Sequence, residues 1–123
     1  MYALSNQHGQ VEAFMEKNRI VAADSLQMIG ILLGNCVFDC SGKMVGKFLD
    51  NVLYHLSGKI LSKGALVPVT TEVEALLGQY QEEGAVVLRS ITNHTDRWIE
   101  ITTEWSKVEL HNVLQREQEL QGA

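Results

Sequence analysis

Hydrophobic and polar residues alternate with a period of two through much of residues 10–64, and turn-forming residues interrupt this alternation at regular intervals. The pattern is typical of β-strands whose two faces meet different environments. Four outer turns are centred on His8-Gly9, Ser25-Leu26, Ser41-Gly42 and Ser57-Gly58, and three inner turns on Lys17-Asn18, Gly34-Asn35 and Asp50-Asn51. Because glycine and asparagine accept the positive φ angles of tight turns, each stretch between two outer turns is predicted to form a hairpin.

The turns belong to an internal repeat of four units. One column of the repeat holds Gly9, Leu26, Gly42 and Gly58, and another holds the small residues Ala13, Gly30, Gly46 and Ser62, with spacings of 17, 16 and 16 residues in both. A period this short, with two turns in each unit, predicts β-hairpins stacked beside copies of themselves. The one additional residue falls between Val21 and Asp24, where we expect a β-bulge.

The alternation also predicts which side chains of the longer strands face the interior. The predicted inner face carries Val11, Ala13 and Met15 in the first unit, then Met28, Gly30 and Leu32, then Met44, Gly46 and Phe48, and finally Ile60, Ser62 and Gly64. A small residue stands at the centre of each set. Four equivalent small residues indicate four strands crowded around one axis, with larger apolar side chains filling the space above and below them.

The second half of the chain begins after Pro68 and lacks the repeat. Thr70 or Thr71 can cap a helix that ends before Gly84. The apolar stripe of this helix would consist of Val73, Leu76, Leu77 and Tyr80. The Val-Val-Leu run that follows predicts a strand over residues 85–91.

Residues 95–105 fit two structures. Trp98, Ile101 and Trp105 have helical spacing, whereas Ile99, Ile101 and Thr103 alternate as in a strand, and periodicity leaves both open. A capping box then predicts a last helix from Lys107 to about Glu119, because the Ser106 side chain and Glu109 can satisfy the first free backbone amides. Its apolar side would carry Leu110, Val113 and Leu114, and residues 115–123 are expected to fray.

Together these elements predict an α+β fold. Residues 1–64 would form a meander of four short β-hairpins with a pseudo-fourfold repeat. Residues 65–123 would form an acidic, helical or mixed α/β region that packs on the meander within the same domain. A chain of 123 residues has room for one such domain with a real core.

The sequence Phe-Asp-Cys-Ser-Gly-Lys-Met-Val-Gly-Lys-Phe at residues 38–48, followed by Asp-Asn-Val-Leu-Tyr at residues 50–54, resembles the repeating hairpin of the small bacterial β-flower domains. In those domains four hairpins are arranged as petals around a pseudo-fourfold axis. The likeness covers residues 6–64. The order of aspartate, turn glycine and Val-Gly pair is also similar to that in PRC-barrel domains. The β-flower resemblance implies a fold and implies no catalytic residues.

Charge is unevenly distributed, with six Lys/Arg and five Asp/Glu in residues 1–64 but four and ten in residues 65–123. The acidic second half disfavours nucleic acid as a partner, because phosphates would be repelled. The sequence has no long apolar run that predicts a membrane span and no basic and apolar leader at residues 1–9, so we expect no membrane association and a cytoplasmic location.

The most site-like residues are Asp39 and His55, which occupy the same column in successive units, with Ala22 as the third member of this column. A histidine oriented by a carboxylate can act as a general base, but the two side chains can equally satisfy each other at a packed junction. Cys36 and Cys40 lie too far apart on one strand for a disulfide and are predicted to be small apolar residues. The spacing of histidine and acidic residues predicts no metal site, and no cofactor is expected.

Two functional hypotheses follow. The first is a non-catalytic binding or protein-interaction module, in which Trp98 and Trp105 dock a protein partner or a second copy as a dimer, since tryptophan is enriched at interface hot spots. In a version of this hypothesis the tryptophans instead cover the β region within the same chain. The second is a small-molecule-binding protein or enzyme with a pocket near Asp39 and His55.

Overall fold

The computed structural model describes residues 1–79, 81–91 and 98–114, and it consists mostly of β-strands with three short helices. The strands are β1 (Tyr2–Ser5), β2 (Val11–Glu16), β3 (Arg19–Ala22), β4 (Met28–Leu33), β5 (Cys36–Asp39), β6 (Met44–Leu49), β7 (Val52–His55) and β8 (Ile60–Leu66). Each strand pairs antiparallel with the next, and β8 pairs with β1, so the sheet closes into a barrel. The predicted strand meander is present, and its closure removes the free edges that an open sheet would expose.

Left-handed backbone conformations allow the chain to reverse at the inner turns. The φ angles are +49° and +66° at Lys17 and Asn18, and +49° and +65° at Asp50 and Asn51. Gly34 takes a φ of +63° in the remaining inner turn. These angles match the twist of hairpin strands, which is why asparagine, aspartate and glycine occur there.

A register shift interrupts every strand pair that is joined by an outer turn. Leu4 pairs with Ala13 but Ser5 pairs with Val11, which leaves Glu12 as the extra residue of a β-bulge. The same shift leaves one extra residue in each of the other long strands, at Ile29, Val45 and Leu61. The prediction of a bulge between Val21 and Asp24 is therefore wrong. The additional residue of that unit lengthens the outer turn, where Ala22 N–H donates to the Gln27 carbonyl.

These bulges change the side-chain faces at the start of the long strands. The prediction that Val11, Met28 and Met44 face the interior is wrong, because Val11 is 45% exposed and the two methionines pack with Phe38 and Val87 on the outer surface of the barrel. The bulge residues Ile29 and Val45 take the place of the two methionines inside, and the bulge residue Leu61 of the fourth unit is also in the core. An inserted residue shifts a period-two pattern by one position and so exchanges the two faces.

The column of small residues lies where strands approach one another closely. A Cβ atom at Gly46 would collide with the Tyr54 carbonyl oxygen, and one at Gly30 would lie 2.8 Å from the Phe38 carbonyl oxygen. Ser62, at the same position in the fourth unit, is completely buried. Larger side chains at these positions would therefore force the strands apart.

Two helices follow the barrel, α1 (Thr71–Gln79) and α2 (Gln81–Ser90). The predicted cap of α1 is confirmed, since Val73 N–H donates to Thr70 Oγ1 at 3.2 Å. The predicted strand over residues 85–91 is wrong, because most of it belongs to α2. There Val87 packs on the outer face of the barrel beside Ile31. Helical spacing lets one face of α2 cover this apolar surface, and such packing overrides the β preference of the Val-Val pair. Tyr80 lies outside the described residues.

Residues 98–106 are neither a helix nor a regular strand, but their end pairs with the barrel. Ile60 N–H donates to the Glu104 carbonyl at 2.8 Å, Ser106 N–H donates to the Ile60 carbonyl at 2.8 Å, and Trp105 forms a parallel bridge with Ile60. Residues 110–114 are helical. The predicted apolar side is confirmed for Leu110 and Leu114, which are buried in the core of the barrel.

The continuation predicted for this last helix, to about Glu119, and the fraying end at residues 115–123 lie outside the described residues. Within the ranges that the structure describes, no helix has the length and apolar character needed to cross a membrane.

Candidate binding site at the outer mouth of the barrel

The outer mouth is the end of the barrel ringed by the four outer turns, which lie at Asn6–Gln10, Ala22–Gln27, Asp39–Lys43 and His55–Lys59. In each turn the N–H of the first residue donates to the carbonyl of the last, with N···O distances of 2.8–2.9 Å. Residues 102–114, here called the covering segment, cross this mouth. They place Leu110 and Leu114 in the barrel core.

Polar side chains stabilise three of these turns from the same starting position. Asn6 Oδ1 accepts hydrogen bonds from His8 N–H at 2.9 Å and Gln10 N–H at 3.0 Å. Asp39 Oδ1 accepts hydrogen bonds from the N–H groups of Ser41 and Lys43, both at 3.0 Å, and from Ser41 Oγ at 2.6 Å. Asp39 therefore has a structural role in its own turn, where its carboxylate accepts hydrogen bonds from nearby backbone and hydroxyl donors.

His55 has the corresponding role in the last outer turn. Its Nδ1 accepts a hydrogen bond from Ser57 N–H at 3.1 Å and lies 2.9 Å from Ser57 Oγ. Because Nδ1 accepts a hydrogen bond, the neutral ring must carry its hydrogen on Nε2. Burial lowers the pKa of His55, which favours this neutral form.

Asp39 and His55 come together at one cavity of about 330 Å³ between the barrel and the covering segment. Two other polar residues, Lys43 and Asn112, also line it. The apolar part of its wall consists of Met44, Val45, Leu56, Val108 and Val113. The predicted pair thus shares a cavity, although each side chain is hydrogen-bonded within its own turn.

A second polar group lies at the same mouth, and sequence reasoning missed it. Ser62 Oγ lies 2.9 Å from Glu12 Oε1 and 3.2 Å from the Ser5 carbonyl oxygen. From the covering segment, His111 Nε2 lies 3.2 Å from the Glu12 carbonyl oxygen, so Nε2 must be the donor of this bond. Two residues that are distant in sequence, Ser62 and His111, therefore meet at Glu12.

The Glu12 carboxyl is half-buried, and its pKa is raised. Burial is the largest cause, and the nearby Glu109 raises the pKa further, while the Ser62 hydroxyl and the charge of His111 oppose the shift. The sequence held one signal for this group. Glu12 is the polar member of the set of four bulge residues, which also contains Ile29, Val45 and Leu61. This signal could be recognised only after the structure had shown that the four positions are equivalent.

The two predicted interface residues differ in their surroundings. Trp105 is partly buried against β8, and Lys63 Nζ lies 5.7 Å from the centre of its ring. Trp98 is 84% exposed. Trp105 therefore packs on the barrel within the chain, whereas the Trp98 side chain is largely exposed to solvent.

Both cysteines are free thiols. Cys36 is buried beside Phe38 on the outer surface of the barrel. Cys40 Sγ donates to the Met28 carbonyl oxygen, and burial raises the pKa of this thiol to about 11. Such a thiol is a poor nucleophile, because the reactive thiolate is scarce at neutral pH.

The chemistry of the outer mouth is thus that of an apolar cavity with a carboxylate, a neutral imidazole, a lysine and an amide in its wall. The fold places these groups under a segment from the other half of the chain. Comparisons with known proteins found no matching family model, curated protein or solved structure.

Proposed function

We propose that this protein is a non-catalytic binding module that holds a small amphipathic molecule in the cavity at the outer mouth. The observation that carries the proposal is the cavity itself, with Asp39 and His55 on one side and the covering segment on the other. Its volume of about 330 Å³ is within the range of small-molecule sites, which are mostly apolar with a few placed polar groups.

The wall of the cavity indicates the class of ligand. Val45, Val108 and Val113 offer apolar surface to the body of a small molecule. Asp39 accepts hydrogen bonds, and the Nε2–H of neutral His55 is a donor. We infer a ligand of modest size with an apolar body and one end that carries both hydrogen-bond donors and acceptors, such as an amide or a protonated amine beside a hydroxyl.

The hydrogen bonds of the two polar residues support binding rather than acid–base catalysis. Asp39 Oδ1 already accepts three hydrogen bonds from its turn, and His55 Nδ1 accepts one from Ser57. These bonds hold both side chains in place. A general base would need a proton acceptor aimed at the reacting group, and the accepting nitrogen of His55 is occupied.

The β-flower family and the pseudo-fourfold hairpin repeat remain part of the proposal. Support comes from the inner turns, whose asparagine carbonyls make equivalent bonds to the next hairpin. Asn18 O accepts from Leu32 N–H, Asn35 O from Phe48 N–H, and Asn51 O from Gly64 N–H, at 2.9, 2.8 and 2.6 Å. We also propose that the second half of the chain, predicted as residues 65–123, packs on this repeat in an α+β arrangement, and that the protein acts in the cytoplasm.

A second candidate function is binding of a protein partner or a second copy through Trp98. The exposure of this tryptophan, together with that of Ile101, which is 50% exposed, favours it. Light scattering after size exclusion would compare the full chain with the Trp98→Ala variant. A dimer that is lost in the variant would support this candidate, and a monomer in both would leave self-association without support.

The binding proposal is tested by a thermal-shift screen with a library of small amphipathic molecules. A ligand at about 100 times its Kd should stabilise the folded protein by about 2.7 kcal/mol. Two variants, Asp39→Asn and His55→Asn, keep an acceptor where the turn needs one, because Asn6 already serves this purpose in the first outer turn. Ligand hits should weaken in one or both variants while the unliganded proteins stay folded.

Hits that bind the wild type and both variants equally well would contradict the proposal. So would a screen in which no member of the library stabilises the wild type. Turnover of any hit by the wild type would instead favour the enzyme alternative. In that case loss of turnover in His55→Asn would assign the reaction to this cavity.

A further inference from the structure

The polar cluster at the outer mouth joins the covering segment to the first unit of the barrel through Glu12. We propose that the covering segment is a pH-sensitive closure over the outer mouth, seated firmly when the Glu12 carboxyl is protonated and loosened when it ionises. This inference concerns regulation of the cavity and rests on the proposed function for its biological meaning. The closure itself is a property of the chain without ligand.

The covering segment is attached at two places of different character. At its start, Ser106 N–H is bonded to the Ile60 carbonyl within the strand-like pairing to β8. At its helical end, Leu110 and Leu114 sit in the core and the His111 ring donates to the Glu12 carbonyl oxygen. The end is therefore held by side chains rather than by a continuous backbone ladder, and it can leave while the start stays paired.

The charge of Glu12 decides which hydrogen bonds the Ser62 hydroxyl can make. The Ser62 hydroxyl has one hydrogen but faces two acceptors, Glu12 Oε1 at 2.9 Å and the Ser5 carbonyl at 3.2 Å. A protonated Glu12 can donate to Ser62 Oγ, which leaves the hydroxyl free to donate to Ser5. An ionised Glu12 accepts the hydrogen of the Ser62 hydroxyl, which lowers its pKa. The cost of ionisation comes instead from partial burial of the carboxyl beside Glu109, in the small cavity under the covering segment.

Other titratable groups around Glu12 set the direction of the effect. Glu109 of the covering segment repels an ionised Glu12, His111 attracts it when charged, and His8 lines the same small cavity beside it. Burial and Glu109 together outweigh the opposing effects of Ser62 and His111, so the pKa of Glu12 is raised. A group whose pKa is raised on folding stabilises the closed arrangement below its unfolded pKa, and this contribution is lost as pH rises through the folded pKa.

Loosening would open the proposed binding cavity, because the two sites share the covering segment. Val108, Asn112 and Val113 line the cavity near Asp39, and Leu110, His111 and Leu114 of the same segment make the contacts at the core and at Glu12. A rise in pH is therefore expected to increase ligand exchange. A fall in pH is expected to trap a bound molecule.

The test compares hydrogen exchange in residues 106–114 between the full-length wild type and Glu12→Gln, each measured at about pH 4 and about pH 8. Comparison at the same pH removes the intrinsic dependence of exchange on hydroxide. Glutamine can donate to Ser62 as a protonated carboxyl does, so the variant mimics the closed form. We expect equal protection at about pH 4 and several-fold slower exchange in Glu12→Gln than in the wild type at about pH 8.

A second variant, Ser62→Ala, gives an independent prediction if Glu12→Gln folds poorly. The Ser62 hydroxyl lowers the pKa of Glu12, so its removal should move the loss of protection to higher pH. Equal exchange in wild type and Glu12→Gln at both pH values would overturn the proposal, as would a transition that is unchanged in Ser62→Ala.

No ligand is used in these measurements, so their failure is distinct from failure of the binding proposal. A pH-dependent closure without ligand hits would support the closure and contradict the proposed function. Ligand hits together with a closure that does not depend on pH would support the proposed function and contradict the closure proposal.

Discussion

The two ends of the barrel are closed in different ways. At the inner end the barrel uses its own side chains, with the Tyr2 and Phe48 rings in an edge-to-face arrangement 5.2 Å apart and Met15 and Leu32 beside them. At the outer end the strands leave an opening that is filled from residues 102–114. Glu12, Asp39 and His55 lie at this second end, whereas the inner end carries the ion pair between the Met1 amino group and Glu16 at 2.8 Å.

The difference indicates where function can reside. An end closed by the strands themselves can open only if the barrel is disrupted, because its closing residues are part of the hydrogen-bonded ladder. An end closed by a separate segment can open while every strand pair is kept. Polar groups at such an end can meet solvent and ligand without loss of the fold.

The largest expected effect comes from the residue that seals the outer end. Leu110 is fully buried, so Leu110→Ala should lower the free energy of unfolding by about 2–5 kcal/mol, the cost of a cavity in a core that cannot collapse. Urea denaturation followed by circular dichroism measures this loss. The neighbouring Val108→Ala is the control, because Val108 is 42% exposed and its truncation should change stability by less than about 0.5 kcal/mol.

If Leu110→Ala and Val108→Ala were equally mild, the covering segment would not be part of the core. The contrast between the two ends would then disappear. Added small apolar molecules that restore stability to Leu110→Ala would instead show that the vacated space is the one described here.

A smaller effect is expected for the aromatic pair at the inner end. A double-mutant cycle with Tyr2→Leu and Phe48→Leu should give a coupling of about 0.5–1.5 kcal/mol, typical of edge-to-face rings. Phe48→Leu combined with Leu110→Ala should be additive within about 0.5 kcal/mol, because the two residues close opposite ends. Strong coupling between the ends would mean that the barrel opens as a single unit.

The pH dependence of stability should separate two polar groups at the outer end. Burial lowers the pKa of His55, so its contribution is present above the pKa of the unfolded chain and is lost as pH falls through the folded value. Glu12 has the opposite sign, since its pKa is raised. Unfolding of His55→Asn should therefore depend less on pH in the acid range than that of the wild type, with the turn kept by the asparagine oxygen.

Urea midpoints measured between about pH 5 and about pH 8 test this directly. Glu12→Gln is the matched comparison, because it should remove the part of the curve in which stability falls as pH rises. A His55→Asn profile parallel to that of the wild type would mean that the imidazole is not buried in solution.

Much of the barrel could be predicted from local sequence. Local backbone geometry determines two of these features. The inner turns at Lys17-Asn18 and Asp50-Asn51 require positive φ angles, and the close approach of a neighbouring strand requires a small residue at Gly30 and Gly46. The sharing of one cavity by Asp39 and His55 also followed from their common column. These features depend on positions within one repeat unit, and periodicity detects such positions.

The bulges and the covering segment could not be predicted in the same way. A bulge at Glu12 or Val45 leaves composition unchanged and only alters which face a residue joins. The strand prediction for residues 85–91 failed because Val87 gains burial from a distant barrel surface. His111 reaches Glu12 across the length of the chain, and no spacing in the sequence encodes that contact.

The smallest expected effect distinguishes the two tryptophans of the segment that leads to the outer end. Trp98 is 84% exposed, so Trp98→Ala should change the free energy of unfolding by no more than about 0.5 kcal/mol. Trp105→Ala should cost more, because it removes packing on β8 and the contact with Lys63, itself about 0.5–1 kcal/mol. Circular dichroism is the suitable signal, since both changes remove a fluorophore. A stabilising role for Trp98 equal to that of Trp105 would place Trp98 in the closure of the outer end and remove the reason to assign it to a partner.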